Sequence, residues 1–109
     1  MIELPKNFTP DQIDELIEAT FKPTINLNRI TSFGGEMICT ESKVYLLPQE
    51  YGALFAGKCF EYSEVLSYKR SLIAGYVIQL KSGQEVRLSN VFGKMRAGIT
   101  EVLDRHTKA

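Results

Sequence analysis

A chain of 109 residues has room for one domain with one hydrophobic core. Its 13 basic residues balance 13 acidic ones, so net charge gives no reason to expect nucleic acid. The apolar fraction of 44% is that of a folded domain, and no apolar run is long enough to span a bilayer as a helix.

The start, Met1-Ile2-Glu3-Leu4-Pro5, lacks the basic and apolar regions of a signal peptide, so a cytoplasmic location is expected. Thr9-Pro10-Asp11-Gln12 then reads as a helix start: an N-cap, a proline in the first turn and a capping-box glutamine. Phe8 and Ile13 occupy staple positions. Ile13, Leu16, Ile17 and Phe21 form an apolar stripe, with Asp14, Glu15 and Glu18 turned to water and Pro23 ending the helix. Residues 1–29 are thus expected to be an N-terminal helix and lead-in segment.

From Thr24 onward the chain reads as strands and turns. Thr24–Ile30 is a weak or irregular strand, broken at Gly34-Gly35. Met37–Thr40, Val44–Leu47, Lys58–Tyr62 and Val65–Arg70 are short strands, with turns at Glu41-Ser42-Lys43 and at Ser63-Glu64. Cys39 and Cys59 lie far apart inside two of these strands, with no Cys-x-x-Cys. They read as buried free thiols.

Gln49 to Gly57 links two strands yet carries Tyr51, Leu54 and Phe55. Connecting segments are normally polar, so these three side chains either fold back on the core or form an exposed apolar patch. Ser71-Leu72-Ile73-Ala74-Gly75, just after Lys69-Arg70, is a second segment of this kind.

The stretch Tyr76 to Leu88 is a β-hairpin. Tyr76, Ile78 and Leu80 share one face, as do Val86 and Leu88. Opposed residues must point the same way. The loop is therefore Lys81-Ser82-Gly83, which sets Ile78 opposite Val86 and Tyr76 opposite Leu88, with Gly83 in the left-handed position. A closing helix follows from about Asn90 to about Arg105, capped by Ser89 or Asn90. Phe92, Met95, Ile99, Val102, Leu103 and His106 form its apolar stripe. Gly98 falls on that stripe and costs up to ~1 kcal/mol of helix propensity, which close approach of the helix to the sheet would offset.

Nothing here supports catalysis. His106 has no nucleophile or base at a workable spacing, Gly34-Gly35 is no phosphate loop, and the acidic residues form no metal-ligand pattern. The chain is expected not to be an enzyme, to take no metal or other cofactor, and to have no small-molecule substrate.

Gly35 to Leu47 resembles the glycine, strand, threonine turn, strand unit of bacterial pleckstrin-homology-like (PH-like) and GRAM-like domains. Phe60-Glu61-Tyr62-Ser63-Glu64-Val65-Leu66-Ser67-Tyr68 is similar to their next strand, and the Gly83 hairpin and last helix complete the pattern. The resemblance implies an α+β fold: a small antiparallel β-barrel, the PH-like superbarrel, over residues 30–109. One end is closed by the C-terminal helix, and the N-terminal helix is extra. It also implies a binding platform. Some relatives hold phosphoinositides with a basic loop between their first two strands. This chain has no such cluster, so that property does not carry over.

Two roles follow. The first is protein–protein interaction or self-assembly, through a sheet edge and Tyr51, Leu54 and Phe55. The alternative is weak contact with an anionic membrane surface through Lys58, Lys69 and Arg70 beside the apolar loops.

Overall fold

The computed structural model describes residues 1–27, 32–49 and 56–108. Alternating apolar residues build nine described strands: β1 (Ile2–Glu3), β2 (Ile17–Phe21), β3 (Thr24–Asn26), β4 (Ser32–Thr40), β5 (Lys43–Pro48), β6 (Lys58–Glu61), β7 (Val65–Ser71), β8 (Gly75–Leu80) and β9 (Glu85–Ser89). One helix, α1 (Gly93–Thr107), follows them.

All the pairings are antiparallel, and the sheet path runs β1-β6-β5-β4-β3-β9-β8-β7. The expected barrel does not close. Among the described residues β7 pairs with β8 alone. The cause lies at Tyr62–Glu64, a short 3-10 turn that carries the chain out of β6 before β7 begins. Helix α1 packs against this turn, β2 and β7, so side chains of a helix fill the opening instead of a ladder.

The expected N-terminal helix is absent. Its cap motif forms, but it closes a single 3-10 turn at Pro10–Gln12. The Gln12 carboxamide accepts from the Thr9 N–H at 2.9 Å, and the Gln12 N–H donates to the Thr9 carbonyl at 3.0 Å. Ile17–Phe21 is a strand. Ile17, Ala19 and Phe21 alternate as a strand requires, while Ile13, Leu16, Ile17 and Phe21 fit a helical stripe, and pairing with β4 decides between the two. β2 and β3 hold one register along β4, Phe21 opposite Met37 and Thr24 opposite Gly34. They form one strand bent at Pro23, which has no N–H to give and whose carbonyl accepts from Gly35 at 3.1 Å. Beyond the bend β3 also pairs with β9. The single bent strand thus serves both halves of the sheet.

β4 does not break at its glycines but runs through them. A Cβ at Gly35 would come within 2.7 Å of the Leu47 carbonyl oxygen, so this crossing needs glycine. The centre of the sheet is buried on both sides. Met37, Cys39, Val44, Leu46 and Phe60 join the main core with Ile99 and Leu103 of α1. Ile38, Tyr45, Leu47 and Cys59, on the opposite face, are covered by Leu4, Phe8 and Ile13. The Phe8 and Tyr45 rings stack at 5.7 Å. Leu4, Phe8 and Ile13 are therefore a lid on the outer face of the sheet, whereas Leu16 of the expected apolar stripe is exposed.

The Gly83 hairpin is as the sequence requires. Ile78 stands opposite Val86 and Tyr76 opposite Leu88, with Gly83 at φ 95°. The helix begins later than expected. Asn90 takes a left-handed conformation at φ 60° and donates from its side chain to Thr24 Oγ1 at 2.9 Å, so Phe92 becomes the N-cap residue. Phe92 consequently leaves the apolar stripe and is exposed. Both cysteines are buried and free.

Candidate functional site

The β7–β8 hairpin turns at Leu72-Ile73-Ala74, with Ser71 paired to Gly75 at its base. The turn needs left-handed backbone at Leu72 (φ 42°) and Ala74 (φ 56°). Such conformations cost roughly 1–3 kcal/mol each in residues with a side chain, and they collect at working surfaces. Leu72 is 98% exposed and Ile73 95%. The tip is not adrift: the Val91 N–H donates to the Ala74 carbonyl at 2.9 Å, which ties it to the start of α1, where Phe92 is 62% exposed.

Behind the tip lies a groove of ≈ 960 Å³ between β7 and α1. The helix contributes Arg96, Thr100, Asp104 and Lys108, one face at four-residue spacing. Tyr68, Lys69 and Arg70 come from β7, and Tyr76 from β8. The hydroxyls of Tyr76 and Thr100 bond at 2.8 Å. The Tyr68 hydroxyl donates to Asp104, whose carboxylate also holds Lys108 at 3.2 Å. These two partners, Tyr68 first, keep the Asp104 carboxyl below its ordinary pKa. Arg105 bridges Glu18 at 3.3 Å and Glu101 at 3.1 Å. The acids of the groove are thus occupied, whereas Lys69, Arg70 and Arg96 enter no ion pair among the described residues.

The structure separates the basic residues singled out in the sequence. Lys69 and Arg70 reach the groove, at the tip end of β7. Lys58 begins β6, with its ammonium 4.0 Å from Glu3, and does not line the groove. Tyr51, Leu54 and Phe55 lie outside the described residues. Sequence reasoning missed Arg96, Arg105 and Lys108 as neighbours of Lys69 and Arg70. The recurrence of Arg96, Thr100, Asp104 and Lys108 at four-residue spacing was the available signal.

The one histidine is a structural joint. His106 Nε2 donates to Glu18 Oε1 at 2.6 Å, and its ring stacks on Tyr62 at 4.4 Å. This hydrogen bond holds the Glu18 carboxyl below its ordinary pKa. Glu15, expected to face water, instead accepts from Ser42 at 2.8 Å. The Tyr62 hydroxyl donates to the Thr40 carbonyl at 2.8 Å. Burial pushes the Tyr62 hydroxyl upward and the Cys39 thiol up to about 12, so neither ionises at neutral pH. Among the described residues no three His, Cys, Asp or Glu side chains are placed to hold a metal ion, and no helix is long and apolar enough to cross a membrane.

No protein-family model matches the chain, and no curated protein does. Solved structures do. The C-terminal domain of an unknown protein from Leishmania infantum superposes with a TM-score of 0.73 at 14% identity, over 92% of this chain and 91% of that one. The linker-DH/PH fragment of p115-RhoGEF matches with a TM-score of 0.69 at 6% identity over 87% of this chain. The DH/PH fragment of PDZRHOGEF, in complex with human RhoA, matches with a TM-score of 0.67 at 14% identity over 86%. This chain spans 30% and 29% of those two RhoGEF chains. At such identities the likeness speaks of fold alone: an antiparallel sheet with one C-terminal helix, in the PH-like arrangement.

Proposed function

We propose that the chain is a non-catalytic binding module that docks another protein, or a second copy of itself, through the Leu72–Ile73 tip. The exposed apolar pair on left-handed backbone carries this reading. Water alone gives no reason to hold Leu72 in a strained conformation with its side chain 98% exposed. Burying each side chain at an interface contributes about 1.5–3 kcal/mol before ordering costs. Phe92 widens the patch, and Tyr51, Leu54 and Phe55 remain part of the proposed contact. The DH/PH fragment of PDZRHOGEF, part of which shares this fold, was solved in complex with RhoA, and that is in keeping with a docking role.

A second reading has its own observation. Lys69 and Arg70 follow one another at the base of the apolar tip, an arrangement suited to an anionic membrane surface. Each basic side chain near such a surface contributes about 1 kcal/mol, so two would give weak, salt-sensitive binding.

The Leu72→Ser/Ile73→Ser double variant tests both. Crosslinked complexes or self-association of the native protein should be lost at an unchanged unfolding midpoint. Association that is identical in the variant would refute the docking role. Loss of sedimentation with phosphatidylserine vesicles, with protein association unaffected, would put the membrane reading in its place.

A further inference from the structure

We infer that residues 1–13 form a strap that lifts off the sheet as a unit while the rest of the fold stays closed, uncovering a second apolar face on β4, β5 and β6. The strap shares no residue with the Leu72–Ile73 tip or with the β7–α1 groove, so this device is independent of the docking role.

The face under the strap is sealed as a core is. Ile38 and Leu47 are 1% exposed, Cys59 6% and Tyr45 8%. Among the described residues its apolar cover is Leu4, Phe8 and Ile13, and each of these is itself only half-buried. No residue from 1 to 22 is buried. The strap is therefore a single layer, with the sheet on one side of it and water on the other.

Its hydrogen bonds are largely its own. The Phe8 N–H donates to the Pro5 carbonyl at 3.1 Å, the Gln12 N–H to the Thr9 carbonyl at 3.0 Å and the Ile13 N–H to the Pro10 carbonyl at 3.1 Å. The Thr9 N–H donates to the Gln12 side chain at 2.9 Å. All four bonds survive lifting. The ties that lifting breaks are few: the two-residue pairing of β1 with β6, the Leu4 N–H on the Gly57 carbonyl at 2.8 Å, the Phe8–Tyr45 stack, the Lys58–Glu3 pair at 4.0 Å and the Met1 ammonium on Glu64 at 2.7 Å.

Just past the strap the chain is fastened. Glu15 accepts from Ser42 at 2.8 Å, and β2 pairs with β4 from Ile17 to Phe21. The exposed Asp14 stands between the two regimes, and the hinge falls there. A segment with few buried contacts and self-contained bonds opens at a lower free energy than a core held by ladders.

The two cysteines report the opening separately. Cys59 lies under the strap, whereas Cys39 belongs to the main core on the opposite face of the same sheet. Lifting the strap frees Cys59 alone, and Cys39 is reached only when the fold comes apart.

The test is iodoacetamide labelling of the native chain, with each cysteine followed by mass spectrometry of its peptide. Cys59 should label at least about tenfold faster than Cys39, yet far more slowly than in the denatured chain. Its rate should rise gently with denaturant below the unfolding transition, while that of Cys39 rises with the full slope of global unfolding. Phe8→Ala thins the strap and should speed Cys59 at least about tenfold. Val86→Ala weakens the main core away from the face under the strap. It should speed Cys39 about tenfold and leave Cys59 within about twofold. Equal acceleration of both cysteines by Val86→Ala would overturn the inference, because the strap would then leave only with the whole fold. A Cys59 rate as slow as that of Cys39, or unchanged by Phe8→Ala, would do the same. A Cys59 rate indifferent to denaturant would mean access without opening, and one equal to that of the denatured chain would mean a strap that never closes; either result also overturns it.

Discussion

The contact between Gly98 and Phe21 decides how close α1 comes to the bent strand, and a double-mutant cycle measures it. An ideal Cβ on Gly98 would lie 2.7 Å from Phe21 Cε1 and 3.1 Å from Cζ. Carbon atoms pack best at about 3.5–4.0 Å, so the added methyl intrudes by roughly 1 Å. Glycine to alanine inside a helix gains up to about 1 kcal/mol of propensity. Overpacking of this kind costs about 1–3 kcal/mol. In the native background Gly98→Ala should therefore be neutral to destabilising by about 2 kcal/mol. With Phe21→Ala the ring is gone, and the same substitution should stabilise by about 1 kcal/mol. The difference, a coupling of about 1–3 kcal/mol, is read from denaturant midpoints of the four proteins. A coupling below about 0.5 kcal/mol would show that the helix does not rest on Phe21.

Three further outcomes are expected. Tyr62→Phe removes the buried donor to the Thr40 carbonyl and should cost about 1–3 kcal/mol in unfolding free energy; an unchanged midpoint would mean that bond carries no stability. Cys39, with its pKa pushed up to about 12, should resist iodoacetamide at neutral pH until the chain unfolds, as mass spectrometry would show; labelling of the folded protein would contradict its burial. Glu18 has a folded pKa below its ordinary 4.5, so its stabilisation is present above pH 4.5 and is lost as pH falls through the folded value. The melting temperature of the native protein should therefore fall more steeply below that pH than that of Glu18→Gln, which still keeps the lowered Glu64 and Asp104; parallel curves would sink the Glu18–His106 joint.

The C-terminal half of the fold was legible because its signals are local and agree. In the Tyr76–Leu88 hairpin, face alternation, loop length and the left-handed Gly83 each force the same register. The N-terminal segment misled because its signals are local and its structure is not. Thr9 to Gln12 is a sound cap, and Ile13, Leu16, Ile17 and Phe21 fit a helical stripe. What overrides them is a set of partners sixteen or more residues away: Met37 to Thr40 for the strand, Tyr45 for Phe8, and His106 for Glu18. The continuous apolar runs Met37-Ile38-Cys39 and Val44-Tyr45-Leu46-Leu47 were the overlooked sign. A strand apolar on both faces needs a cover on each, and only the N-terminal residues were left to supply the second. The site was half visible: Lys69, Arg70 and the Leu72–Ile73 segment stand out in sequence, whereas the helix wall of the groove depends on where α1 docks.

That docking also explains how an open sheet end can coexist with a fixed shape. Among the described residues β7 hangs on the sheet through β8 alone, which by itself would leave a swinging hairpin. Helix α1 restrains it at separate points. Asp104 holds the Tyr68 hydroxyl in the middle of the strand, and the Val91 N–H holds the Ala74 carbonyl at the tip. The helix is itself anchored to the other half of the sheet by Arg105 and His106 on Glu18, and by the His106 stack on Tyr62. None of these ties uses the outer backbone edge of β7 or the side chains of Lys69, Arg70, Leu72 and Ile73. The fold thus fixes the position of a free edge and an apolar tip while leaving both unspent, so a partner meets them already ordered and loses less affinity to ordering them.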